Sequence, residues 1–93
     1  MKFNKYENIK EFWKDTGNLL EQEEWYNCLI IGNCLEALEK GNIEMFLATV
    51  TNDNNEIELI MLYRKPWKLI FYSPTNNYSD EILEFTAEEV YKY

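Results

Sequence analysis

The 93-residue chain contains no histidine, and this absence removes several kinds of site at once. Without an imidazole there is no histidine base, no Ser-His or Cys-His nucleophile and no histidine metal ligand. The chain has only two cysteines, Cys28 and Cys34, which are too few for a metal site. Their six-residue spacing in a helical pattern points them about 120° apart, so we expect both to be unbridged, buried, small hydrophobic side chains.

Positive charge is also scarce, because nine Lys and Arg residues face seventeen Asp and Glu residues and the net charge is −8. A surface with this balance repels a phosphate backbone, which argues against nucleic acid as a partner. No uncharged run is longer than that of residues 25–35, which is far shorter than the ~20 residues that cross a bilayer, so we expect no membrane span. The first residues lack the apolar segment of a secretory signal, which predicts a cytosolic protein with reduced thiols.

Glycine is the third scarce residue, with three in the chain. Proteins of the α/β type usually bind a pyrophosphate with glycine-rich backbone amides at a strand-to-helix turn. The obvious turn of this kind, residues 73–79, has no glycine and carries Pro74, which lacks an N–H. We therefore expect no site for ATP, a dinucleotide or coenzyme A at this turn.

The residues that are present are sufficient for a folded protein. The chain is 46% hydrophobic and 16% aromatic, so it has enough apolar surface to offset the entropy lost on ordering. A chain of this length closes one core, and we predict a single domain over residues 1–93. Three pairs of acidic residues could be read as catalytic carboxylates: Glu23 with Glu24, Glu56 with Glu58, and Glu88 with Glu89. We expect them to be solvated charges, so no catalytic residue is predicted.

Two helical patterns follow one another in the first half of the chain. The first covers residues 9–20, with apolar side chains at spacings of three and four, and either Glu7 or Asn8 can begin it. The second covers residues 23–39 and is apolar on two sides, which predicts a helix covered twice: by a sheet and the first helix, or by something outside the chain. One side carries Trp25, Cys28, Leu29, Gly32 and Leu35, and the other carries Ile30, Cys34 and Ala37.

Gly32 is a poor helix former at the middle of this second pattern. It costs about 1 kcal/mol relative to alanine, and this suggests a close crossing with another backbone element at that point. Gly41 follows Lys40 and is expected to close the helix in a left-handed conformation.

The second half of the chain switches to alternating apolar residues. Strands are predicted at residues 44–51, 56–63 and 68–73, with or without an additional short strand at residues 2–4. Ser79 then caps a final helix, which either continues to the end of the chain or breaks at Thr86. The predicted fold class is α+β: two N-terminal helices, a three-stranded antiparallel sheet and a C-terminal helix.

One turn concentrates positive charge beside an aromatic residue. Arg64, Lys65 and Lys68 surround Trp67, and together they form a candidate contact site for an anionic ligand or a partner protein. The alternative is a solvated turn in which Pro66 fixes the backbone and Trp67 folds onto the sheet.

Three segments resemble the N-terminal half of bacterial GNAT-superfamily N-acetyltransferases. They are residues 24–32, 46–50 and 59–70, in which a Glu-x-x-Asn-x-Leu-x-x-Gly helix precedes a hairpin that ends in a Pro-aromatic turn. The resemblance implies transfer of an acetyl group from acetyl-CoA to an amine. It also implies a cofactor loop, Gln/Arg-x-x-Gly-x-Gly/Ala, which no segment here matches, and no catalytic residue can be carried over.

This resemblance predicts the non-catalytic front portion of a longer acetyltransferase, with no cofactor of its own. Its partner would be the missing C-terminal catalytic domain, and its role would be to shape the acceptor side or to pack against that domain. The alternative is a free-standing acidic interaction module that binds another protein surface. A third reading is a complete small acetyltransferase with an unusual cofactor loop at residues 73–79.

Overall fold

The computed structural model describes residues 1–41, 43–66 and 68–93 and shows an α+β fold, as predicted. Over these residues it contains three helices and a four-stranded antiparallel sheet. The elements in chain order are β1 (Lys2–Tyr6), α1 (Ile9–Glu21), α2 (Cys28–Lys40), β2 (Phe46–Thr51), β3 (Ile57–Tyr63), β4 (Ile70–Tyr72) and α3 (Asp80–Val90).

The strands lie side by side in the order in which they occur along the chain, β1-β2-β3-β4. The short N-terminal strand is present and runs to Tyr6, so the sheet has four strands rather than three. It pairs antiparallel with β2, with Phe3 opposite Val50. In this position β1 forms one edge of the sheet and protects one side of the hairpin formed by β2 and β3.

The sheet is covered on both faces, and the alternation along β2 and β3 explains how. Successive side chains of a strand point to opposite faces, so the apolar run 59–62 supplies both. All four of its side chains are buried, so β3 is a central strand covered on both faces. One face packs with α1 and α2, through Phe12, Leu20, Ile30, Cys34, Leu47, Ile60, Leu62 and Tyr72. The other face packs with α3, through Ala48, Val50, Leu59, Met61 and Ile82.

Helix α1 begins where its sequence predicts. Asn8 is its N-cap, and the side-chain oxygen accepts a hydrogen bond from the Lys10 amide at 2.7 Å. The buried residues of the helix recur at helical spacing and point at the sheet. They are Phe12, Thr16, Gly17 and Leu20.

Helix α2 begins at Cys28 and not at residue 23, so the predicted start is wrong by about one turn. Residues 22–27 form turns, in which the Asn27 amide donates to the Glu23 carbonyl at 3.0 Å. The buried Asn27 side chain donates to the Leu20 carbonyl at 3.1 Å and thereby satisfies the end of α1. The predicted C-terminus is confirmed, because Gly41 has a φ of 82° and its amide donates to the Ala37 carbonyl.

The turn between β2 and β3 and the start of α3 follow their sequence signals. In the turn between β2 and β3, the Asn52 side-chain oxygen accepts from the amides of Asn54 and Glu56, and Asn55 takes a positive φ of 62°. Helix α3 is capped by Ser79 and continues without a break through Thr86.

Candidate interaction surface

The outward side of α2 and of the turn before it is unusually apolar. Trp25 is 95% exposed, Leu29 65% and Leu35 50%, and Cys28 and Gly32 lie exposed between them. These five residues recur at helical spacing and form what we call the α2 patch. The opposite side of the helix, with Ile30, Cys34 and Ala37, is buried. The helix predicted to be covered twice is therefore covered once by the described residues of its own chain.

Gly32 lies at the centre of the α2 patch. Within residues 1–41, 43–66 and 68–93, no atom comes within 4 Å of a Cβ built at this glycine. The close crossing that its sequence position predicts is therefore not made inside the described part of the chain.

The two cysteines differ in their surroundings. Cys34 is buried, and burial raises the pKa of its thiol to about 12. Cys28 is exposed, so the prediction that both are buried is wrong for this residue. Cys28 is exposed because it lies on the outward side of α2, about 120° around the helix from Cys34. Neither thiol is in a disulfide, as predicted.

The basic turn predicted as a contact site lies beside the same helix. The guanidinium of Arg64 donates to Asn33 Oδ1 at 3.1 Å and to Glu36 Oε1 at 3.4 Å. This hydrogen bond and the charge of Arg64 hold the pKa of the Glu36 carboxyl below its ordinary value. Arg64 is thus bound to the side of α2 and is not directed freely into solvent.

The other members of the basic turn are placed differently. Lys65 and Lys68 are exposed, and Trp67 lies outside the described residues. The structure therefore separates the predicted site into one cation held by α2 and two exposed lysines.

A cleft of about 800 Å³ opens on the other side of the basic turn, and the sequence did not predict it. Arg64, Lys65, Phe46 and Tyr93 are among its lining residues, together with Lys5. The ammonium of Lys5 lies 5.6 Å from the centre of the Tyr93 ring and 5.9 Å from that of Phe46. It also pairs with Glu7 at 3.0 Å, so this cation is already matched by groups of the protein itself.

The turn between β4 and α3 is closed by its own hydrogen bonds. The Asn77 amide donates to Ser73 Oγ at 2.7 Å, the Ser73 amide to the Tyr78 hydroxyl at 3.0 Å, and the Ser79 amide to Asn77 Oδ1 at 3.2 Å. Amides used in this way are not free to surround a phosphate.

A carboxylate also lies against this turn. Glu58, on β3, accepts hydrogen bonds from the Thr75 hydroxyl at 2.6 Å and from the side-chain Nδ2 of Asn77 at 3.1 Å. The bond from Thr75 is the main reason that the pKa of Glu58 lies below its ordinary value. A fixed negative charge here repels a phosphate, which supports the expectation that the turn binds no coenzyme.

Residues 1–41, 43–66 and 68–93 contain neither a metal-binding cluster nor a membrane-spanning helix. No group of three or more Cys, Asp or Glu side chains there is arranged to hold a metal ion. No helix among these residues is both long and apolar enough to cross a membrane.

Comparisons with known proteins give no relative. No protein-family model matches the chain, and no curated protein and no solved structure matches it either. The resemblance to GNAT-superfamily acetyltransferases therefore stays a prediction from the sequence.

Proposed function

We propose that this chain is an acidic, non-catalytic protein-interaction module and that the α2 patch is its binding face. The observation that carries the proposal is the exposure of Leu29 and Leu35 on the outward side of α2 and of Trp25 in the turn before it. Single exposed apolar residues are ordinary, whereas a continuous apolar patch with a polar rim marks a protein contact. The rim here is charged, with Glu24 and Glu39 exposed at its two ends.

The rest of the molecule supports binding rather than catalysis. The chain has no histidine, and Glu58, which lies against the β4–α3 turn, is held as a carboxylate by three hydrogen-bonding side chains. A general acid or base needs a pKa close to the working pH, and the pKa of Glu58 is shifted away from it.

The test is a photo-crosslinking residue placed at Leu29, in the organism that makes the chain. The matched control carries the same residue at Glu84, which is exposed on α3 on the other face of the sheet. We expect a discrete protein adduct from position 29 and none from position 84, identified by mass. Absence of any adduct at position 29, or equal adducts at both positions, would contradict the proposal.

A second candidate is the front portion of a GNAT-type acetyltransferase, with the acetyl-CoA site in another part of the protein. Two observations favour it. Helix α2 precedes the β2–β3 hairpin, as the resemblance implies, and β4 pairs with β3 alone among the described strands. The other edge of β4 is therefore open to a further strand.

This candidate makes its own prediction about the coenzyme. Titration of the chain with acetyl-CoA in a calorimeter should give no binding heat, because the backbone amides of Ser73, Asn76, Asn77 and Ser79 already donate hydrogen bonds within the turn and the Glu58 carboxylate lies against it. A chain that extends into a Gly-rich strand-to-helix turn should bind it. Micromolar binding by residues 1–93 alone would contradict both candidates.

A further inference from the structure

Gly32 is not required by the fold in which it occurs. Its backbone is helical, so no positive φ demands glycine, and a Cβ at this position would meet open space within the described residues. An alanine would be more stable in the helix by about 1 kcal/mol. A glycine without a reason inside the monomer is explained if another backbone crosses the helix there, because glycine permits the closest approach.

The residues around Gly32 are arranged to fit a copy of themselves. When two identical helices cross antiparallel at one residue, positions equally far before and after that residue meet. Leu29 then meets Leu35 of the second copy, and Leu35 meets Leu29. Trp25 precedes α2 and lies in the turn at one end of this contact.

The charges favour the same arrangement. Glu24 lies in the turn at the N-terminal end of α2 and Lys40 at its C-terminal end, where it pairs with Glu36 at 3.6 Å, so an antiparallel crossing brings each Glu24 towards the Lys40 end of the other copy. A parallel crossing would instead oppose Glu36 to Glu36 and Glu39 to Glu39, which is repulsive. Antiparallel pairing therefore matches opposite charges at both ends of the contact and leaves the apolar residues at its centre.

We propose that the α2 patch binds a second copy of this chain, in a two-fold dimer whose α2 helices cross antiparallel at Gly32. This inference rests on the proposed function, because it names the partner of the same surface. Each copy would contribute on the order of 500 Å², against about 800 Å² for a standard interface, which gives a weak dimer with a micromolar Kd.

The first experiment is sedimentation equilibrium of the purified chain up to about 200 μM, well above a micromolar Kd. We expect a mass that rises from the 11.3 kDa of one chain towards twice that value. Gly32→Leu should raise the Kd at least tenfold, because the added side chain holds the two backbones apart. Leucine is a better helix former than glycine, and a Cβ at this position meets no atom of the described residues within 4 Å, so the variant should unfold at an equal or higher temperature.

The second experiment tests the antiparallel register through charge. Glu24→Lys and Lys40→Glu should each raise the Kd about threefold to tenfold, and the two changes combined in one chain should restore it. Additive weakening in the double variant would overturn the register.

The third experiment maps the central contact in a Cys28→Ser background. Chains with Leu29→Cys should form disulfides with chains carrying Leu35→Cys, in preference to pairing with their own kind. Preferential pairing of like with like would overturn the antiparallel crossing.

The failure of this inference is distinguishable from failure of the proposed function. A chain that remains monomeric at 200 μM, while position 29 crosslinks to a different protein in cells, retains the interaction surface and overturns the second copy as its partner. A monomeric chain that gives no adduct at position 29 overturns both.

Discussion

Helices α1 and α2 make the same contribution to the sheet and yet leave opposite surfaces behind them. Each has 13 residues, and both pack on the same face of the sheet. Every exposed residue of α1 is polar or charged, whereas α2 exposes Leu29 and Leu35. The comparison separates two demands on a helix, because α1 satisfies the core alone and α2 satisfies the core and has apolar surface left over.

Their glycines show the same contrast at the scale of one atom. A Cβ at Gly17 would lie 3.1 Å from the Trp13 ring, so α1 has an internal reason to use glycine. A Cβ at Gly32 would meet nothing in the described part of the chain. The glycine of α1 is explained by packing within the monomer, and that of α2 is explained by the crossing proposed above.

The largest effect is expected when one substitution is made in both helices. Leu20→Ala should reduce the free energy of unfolding by about 2–5 kcal/mol, because Leu20 is fully buried in α1 and its removal leaves a cavity. Leu29→Ala should change it by less than about 0.5 kcal/mol, because Leu29 is exposed. Urea denaturation at low chain concentration measures both. Equal losses would mean that α2 is covered within the monomer.

A smaller effect is expected from replacing the two glycines with alanine. Gly32→Ala should raise the free energy of unfolding of the monomer by about 0.5–1 kcal/mol, because the helix gains stability and nothing is displaced. Gly17→Ala should gain less, since the half-buried Trp13 must shift to admit the methyl group. Thermal unfolding of both variants at the same low concentration gives the difference, and a larger gain at Gly17 would be the contrary result.

Alternation and caps account for most of what the sequence predicts correctly. The period-two pattern in β3 and the turn residues of the β2–β3 hairpin are local signals, and the structure agrees with them. The start of α2 is different. The side chain of Asn27 donates a hydrogen bond to the Leu20 carbonyl, and the regular helix begins only after this residue, at Cys28. That hydrogen bond joins two elements, so helical periodicity within one of them does not report it.

The surface is predicted only in part, for a physical reason. Two apolar sides of a helix are equivalent in sequence, and only the packed fold selects Ile30 and Cys34 for the core and leaves Leu29 outside. The basic turn shows the same limit. Its cluster of cations is visible in the sequence, but Arg64 is held by Glu36, 28 residues away, and no local spacing indicates such a pair.

The smallest expected effects concern the pH dependence of the free energy of unfolding. Helix α1 is joined to β1, and α2 to the residue after β3, by side-chain pairs that titrate. The Tyr6 hydroxyl donates to Asp15 of α1 at 2.7 Å, and burial, with the charge of Asp15, raises the pKa of Tyr6 above 10.0. Arg64 holds the pKa of Glu36 of α2 below 4.5. A raised pKa gives stability that is present below pH 10 and is lost as the pH rises through the folded value. A lowered pKa gives stability that is present above pH 4.5 and is lost as the pH falls.

The two pairs should therefore weaken at opposite ends of the pH range. The free energy of unfolding lost in Tyr6→Phe should shrink above pH 10, where the wild-type hydroxyl begins to ionise. The loss in Arg64→Gln should shrink below pH 4.5, where Glu36 takes up a proton, while the part due to the Asn33 hydrogen bond stays constant. Urea denaturation at intervals from pH 3 to pH 11 measures both curves. Losses that do not change with pH would show that ionisation of Tyr6 and Glu36 does not affect how the two helices are held.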